Sequence, residues 1–180
     1  MESTLSRINI LVCTFVAALA TCAAGNFVTS LFYQPNPSGV VEFHSVLDIG
    51  ISPYLRNDQA NIAFNIKTSL KDIFQWNTNQ LFVYVYASYQ NQYTPINNVI
   101  IWDHIISNPK LDANSDLIGI INEYPIRDIG RHLRNQKFKL NIAYCYMPIV
   151  GFIHYKQLGT SKMAKLPSHY FQYNQKISKM

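Results

Sequence analysis

The sequence predicts an all-β domain, an antiparallel sandwich-like fold, preceded by one N-terminal transmembrane helix. Three observations predict it. Residues Ile8 to Tyr33 carry no charged side chain. Behind them, several short runs alternate apolar and polar residues with the period of two that belongs to strands, and no long helical period follows. Twelve Tyr and ten Phe among 180 residues weight the composition toward β structure. The 48% hydrophobic and 14% charged shares exclude a disordered chain. About 145 residues follow the apolar run, room for one domain with its own core.

The helix comes first in order. At about 1.5 Å per residue, Ile8–Tyr33 exceeds a hydrocarbon core of about 30 Å. Ile10, Leu11, Val12, Phe15, Val16, Leu19, Phe27, Val28, Leu31 and Phe32 each favour insertion by about 0.3–0.6 kcal/mol near the helix centre. Arg7 precedes the run, and the next basic residue is Arg56, after Glu42 and Asp48. Positive residues stay cytosolic, so residues 1–7 form a cytosolic tail, 8–33 a signal-anchor, and 34–180 a domain on the far side. A cleaved secretory signal is the alternative, with Arg7 as n-region, Ile8–Ala17 as h-region and Ala18-Leu19-Ala20 as the cut site. It would leave a secreted or membrane-tethered β-sandwich binding module. The apolar run continues past that site through Phe27, Val28, Leu31 and Phe32, which favours the uncleaved anchor. Ala17, Thr21 and Gly25, spaced by four, are candidates for close packing against another membrane helix.

Pro35-Asn36-Pro37-Ser38-Gly39 then reads as a turn-rich linker. Val41, Phe43, Leu47, Ile49 and Ile51 line one face of a first strand. Ile62, Phe64, Ile66, Thr68 and Leu70 line a second, opposite Ala63, Asn65, Lys67 and Ser69. Leu81 to Tyr89 is apolar or aromatic on both faces, the pattern of a central strand covered on each side. Val99 to Ile106 forms the next strand, with Asp103 and His104 near its end. Pro109 to Arg134 has no clear period. Phe138, Leu140, Ile142, Tyr144 and Tyr146 resume the alternation, Pro148 and Gly151 end it, and Phe152–Gln157 begins a last hairpin arm.

Cys13 and Cys22 lie in the membrane run, which leaves Cys145 alone in the domain and no internal disulfide. Cys145 is expected to be buried. The charge is uneven: residues 42–123 hold eight acids against four bases, residues 124–180 ten bases against one acid. On the non-cytosolic side nucleic acid is not a partner, so the basic third reads as a solvated face or a surface for an acidic protein neighbour.

His44, His104, His132, His154 and His169 lack the spacing of a zinc pair. The sequence has no nucleophile elbow, P-loop or dinucleotide fingerprint. Asp112, Asn114, Asp116 and Glu123 match positions 1, 3, 5 and 12 of an EF-hand loop, but Leu117 stands where its turn needs Gly. No catalytic residue, metal, cofactor or small-molecule ligand is expected. Asn36-Pro37-Ser38, the nearest match to a glycosylation sequon, is blocked by its proline.

Ile73-Phe74-Gln75-Trp76-Asn77-Thr78-Asn79-Gln80-Leu81-Phe82-Val83-Tyr84, followed by Asn98-Val99-Ile100-Ile101-Trp102-Asp103, resembles the signal peptidase complex subunit 3 family, the 22/23-kilodalton accessory subunits. The start Thr4-Leu5-Ser6-Arg7-Ile8-Asn9 is similar to that family too. The chain departs from the family pattern at Asn79, where Lys is usual, and at Asp128-Ile129-Gly130, which shortens an acidic glycine-rich loop. Cys145-Tyr146 replaces a Trp-Asn pair, as in a diverged member. The resemblance implies a non-catalytic subunit of the complex that removes signal peptides in the endoplasmic reticulum membrane. It implies a lumenal domain and, as partners, the catalytic and other subunits. Trp76, Asn77, Gln80, Leu81, Phe82, Trp102 and Asp103 are the motif residues, expected to fill a core edge or to contact a partner. The end Lys176-Ile177-Ser178-Lys179-Met180 is no lumenal retrieval signal, so residence would depend on those partners.

Overall fold

The computed structural model describes residues 3–110 and 112–172. Helix α1 spans Thr4–Ser30. The Ser3 hydroxyl accepts the Ser6 N–H and caps it. Thr14 and Thr21 return their hydroxyls to the carbonyls of Ile10 and Ala17 at 2.8 and 2.9 Å, so neither is left unpaired on an apolar helix.

Among the described residues ten strands follow: β1 Ser38–Ile51, β2 Asp58–Ser69, β3 Thr78–Tyr89, β4 Asn97–Ile106, β5 Asn114–Ile121, β6 Ile126–Arg127, β7 Lys137–Pro148, β8 His154–Thr160, β9 Ala164–Lys165 and β10 Phe171–Gln172. They form two antiparallel sheets. One runs β10-β1-β2-β5, with β6 also on β2; the other runs β4-β3-β7-β8, with β9 also on β7. The architecture is the sandwich that the alternation predicts, behind a single apolar helix.

The core lies between the sheets. Ala60, Ile62, Phe64 and Ile66 of β2 face Leu81, Val83, Val85 and Ala87 of β3 and Leu140 and Ile142 of β7, all essentially inaccessible. The Phe43 and Phe138 rings meet edge to face across the gap at 5.5 Å.

Several strands depart from the simple pattern. β1 carries register shifts between Phe43 and Ser45 and between Val46 and Asp48. Each inserts a residue, so the core-facing positions become Val41, Phe43, Val46 and Ile49. Leu47 and Ile51 leave that face, and Ile51 is 41% exposed. β3 is central in its sheet, yet it is covered on one face only: Phe82, Tyr84 and Tyr86 are half-exposed. The stretch without clear period contains β5, an edge strand whose register breaks where Phe64 gives way to Ile66 on its partner, close to Gly119 at φ +66°. Because Asn114–Ile121 is extended, Asn114 and Asp116 lie along an edge strand and Glu123 lies beyond its end, so they do not wrap one point as an EF-hand loop does.

Lys137, Lys139, Lys156, Lys162 and Lys165 stand exposed on or beside the second sheet. Cys145 is buried. The first two residues of the expected cytosolic tail and the end Lys176–Met180 lie outside the described residues.

Candidate functional site

The helix does not hang free of the sandwich. Ala23, Asn26, Phe27 and Ser30 are its partly covered residues, spaced so that they share one face of the last two turns. That face meets the start of β3 and the loop from β7 to β8, the one end of the sandwich where both reach α1.

Asn77 holds the joint. It is 1% exposed, and its side-chain oxygen accepts from Asn26 Nδ2 at 2.9 Å and from the Val150 N–H at 3.0 Å. Its Nδ2 donates to the Val150 carbonyl at 2.8 Å. Its own carbonyl accepts the Ile149 N–H at 2.8 Å. One amide therefore ties helix, strand and loop, its oxygen and its nitrogen both engaged. Aromatic contacts flank it: Phe27 meets Phe152 edge to face at 5.9 Å, and Tyr33 meets Trp76 at 6.1 Å. The Tyr33 hydroxyl donates to the Asp72 carbonyl at 2.6 Å. A cleft of about 230 Å³ lies beneath the joint, walled by Phe27, Leu31, Ile73, Tyr146 and Phe152 among others.

The other motif residues separate. Leu81 is fully buried in the core. Trp102 packs from β4 against the core, with His104 stacked 6.0 Å away. Gln80 donates to Met147 Sδ. Trp76 does not fill a core edge: it stands in the turn before β3 and is 58% exposed. Ala17, Thr21 and Gly25 are exposed, and a Cβ on Gly25 would meet nothing. At about 100° per residue they point away from the sandwich.

Phe82 and Asp103 lie on the outer face of the second sheet. There Phe82, Tyr84 and Tyr86 stack as a ladder, with ring centroids 5.6 and 5.9 Å apart. Register puts Ile105 and Cys145 either side of Phe82, with Tyr155 beyond Cys145. Tyr155 is 72% exposed. Burial, then the neighbouring Tyr86 hydroxyl, raises the Tyr84 hydroxyl above its ordinary value. The outer faces of such sheets are ordinarily polar, and the period-two pattern alone did not reveal which face of β3 would be left open.

A second polar cluster closes the far end. Asp128, nearly inaccessible, accepts from the Tyr89 hydroxyl and Asn91 Nδ2 at 3.1 Å each and from the Gly130 N–H at 3.2 Å, and it lies 3.0 Å from His132 Nδ1. Burial alone would raise this carboxyl. The hydrogen bonds from His132, Gly130 and Tyr89 and the charge of His132 outweigh it and hold the group below its ordinary value. Asp58, also inaccessible, accepts from the Tyr170 hydroxyl at 2.8 Å and the Leu133 N–H at 3.2 Å. The His132 ring packs on Tyr93 at 4.6 Å. Among the described residues, no three His, Cys, Asp or Glu side chains converge to hold a metal.

Residues 1–169 match a family described as signal peptidase subunit. The chain is 31% identical over 178 residues to signal peptidase complex subunit 3 of Dictyostelium discoideum, covering 96% of this chain and 98% of that one. It is 28% identical over 175 residues to the subunit of the same name in Caenorhabditis briggsae, covering 94% and 97%. The Gallus gallus protein of that name is 31% identical over 162 residues, covering 85% and 87%.

Proposed function

The chain belongs to the signal peptidase subunit family, and on that premise we propose that it is a non-catalytic accessory subunit of the endoplasmic reticulum signal peptidase complex. In this reading residues 1–7 are cytosolic, 8–33 cross the membrane once and 34–180 are lumenal. The subunit supports removal of signal peptides by stabilising the complex and its catalytic subunit. The observation that carries the reading is the end-to-end family match, which includes the anchor as well as the sandwich.

The geometry supports it. α1 runs unbroken through Ala18–Ala20, and its last turns are fixed to the sandwich through Asn26 and Phe27. A helix held in this way suits a permanent anchor. Arg7, its one charged residue, stands at the end opposite the sandwich, which supports the lumenal orientation. The Asp128–His132 pair is engaged in closing a loop: Tyr89 and Asn91 occupy the carboxylate, and Tyr93 covers the ring. That use supports a structural role, not a general-base role. The half-exposed ladder of Phe82, Tyr84 and Tyr86 is the surface we assign to a neighbouring subunit, because an aromatic outer face suits burial in an interface.

Affinity purification of the tagged full chain from detergent-solubilised membranes tests the reading. Co-recovery of the catalytic subunit is expected, and its absence would remove the assignment. Changing Tyr84→Thr and Tyr86→Thr together, which keeps β-forming residues in β3, is expected to reduce that recovery severalfold. Orientation has its own test. Asp116→Thr completes a sequon at Asn114-Ser115 on the exposed edge of β5, and its glycosylation is expected only if the sandwich is lumenal.

A further inference from the structure

We propose that Trp76, Ile149, Phe152 and Ile153 form a collar that lies in the headgroup region of the bilayer crossed by α1. The inference rests on the reading of α1 as membrane-spanning and adds a second, peripheral contact with lipid.

Depth is the first argument. Arg7 marks the polar end of the helix, and Phe27 stands twenty residues further on. That is a rise of about 30 Å, the whole thickness of the hydrocarbon core. Tilt would only leave Phe27 deeper. Asn26 and Phe27 therefore lie at the hydrocarbon boundary, and so does whatever touches them. Asn26 is bonded to Asn77 at 2.9 Å, and the Phe27 and Phe152 ring centroids are 5.9 Å apart. A Cβ on Gly151 would come within 2.7 Å of the Phe27 ring. The two loops cannot stand off in bulk water while the helix end is in lipid.

Composition is the second argument, and it is independent of the first. Neither Ile73–Gln80 nor Met147–Ile153 contains a charged residue. Trp76, Ile149, Phe152 and Ile153 are 58, 63, 71 and 54% exposed, beside Leu31 and Phe32 at 61 and 82%. Trp is the side chain most suited to this level, with an apolar ring and one N–H for the wet side. The third argument concerns backbone polarity. The Ile149 N–H and both polar groups of Val150 are already bonded to Asn77, so this part of the loop enters the interface with its hydrogen bonds made.

The test uses the full chain carrying Trp102→Phe, which leaves Trp76 as the sole tryptophan, reconstituted in phosphatidylcholine vesicles. Bromine atoms on the acyl chains near the headgroup are expected to quench Trp76 severalfold more than bromines near the chain ends. The converse variant, Trp76→Phe, leaves Trp102 against the core and is expected to escape both. Carbonate extraction is run on the same vesicles. Retained protein whose Trp76 is quenched by aqueous acrylamide and not by brominated lipid overturns the collar and leaves the anchor standing. Protein released by carbonate overturns the anchor, and the collar with it. In native membranes, a photoreactive phenylalanine analogue at position 152 is expected to label phospholipid. Labelling of a protein instead would assign the collar to a neighbouring subunit and overturn the proposal.

Discussion

Asn77 shows how one side chain can determine the form of a membrane subunit. Its amide uses donor and acceptor alike on three chain segments, so Asn77→Ala strands the partly buried N–H and carbonyl of Val150. A loss of about 2–4 kcal/mol is expected, read by denaturation of the detergent-solubilised full chain. Trp76 is the opposite case. Although the motif suggests a core residue, it buries little, so Trp76→Ala is expected to change stability by less than about 1 kcal/mol. A cost of several kcal/mol in the same assay would contradict its exposure. Asp128 adds a pH dependence. Its folded pKa lies below the ordinary 3.8, so its contribution is complete at neutral pH, where folded and unfolded forms are both ionised. It is lost as pH falls past 3.8 and through the folded value. Asp128→Asn is expected to lower the melting temperature at neutral pH and to flatten its fall on the acid side.

Among elements, the most informative is the loop from β7 to β8. Gly151 adopts φ +120° and lets Phe27 approach where a side chain would stand, so Gly151→Ala meets both backbone strain and a clash. It is expected to loosen α1 from the sandwich, with protease cleavage appearing near Pro35–Gly39 while the β-sheet circular dichroism is retained. β1 gives a different lesson. Two bulges rotate its core face, so a strict period of two places Val41, Phe43 and Ile49 correctly and Leu47 and Ile51 wrongly. Bulges arise from pairing with β2, and local sequence does not mark them. β5 shows no clear period in the sequence for a related reason: it lies at an edge, its ladder is irregular beside Gly119, and Ile118 is 79% exposed.

The whole molecule is closed along the seam where β8 of one sheet meets β1 of the other. Gly159 and Gly39 lie back to back there, and a Cβ on Gly159 would clash with the Gly39 carbonyl. Gly159→Ala is expected to cost about 1–3 kcal/mol as the sheets part, without touching the ladder or the anchor joint. It thus serves as a control that lowers stability while sparing the surfaces assigned to partner and lipid. The charge asymmetry between the two halves of the chain ends as lysines standing exposed on the second sheet's strands and margins, and Lys67–Asp116 is an exposed ion pair of small energetic weight.

Whatever depends on local pattern was legible in the residues: the apolar helix, the alternating strands, the buried Cys145 and the family motif. These follow from side-chain chemistry at fixed spacing, which needs no knowledge of neighbours. The fate of that motif was not legible, since Leu81 goes to the core, Phe82 to an open ladder, Asn77 to a joint and Trp76 to the surface. Those outcomes are set by contacts between segments 50 to 75 residues apart, as in the bond from Asn26 to Asn77. Only the tertiary structure decided that the end of the apolar helix is joined to the sandwich, because what joins them is a buried amide whose partners the chain brings together by folding.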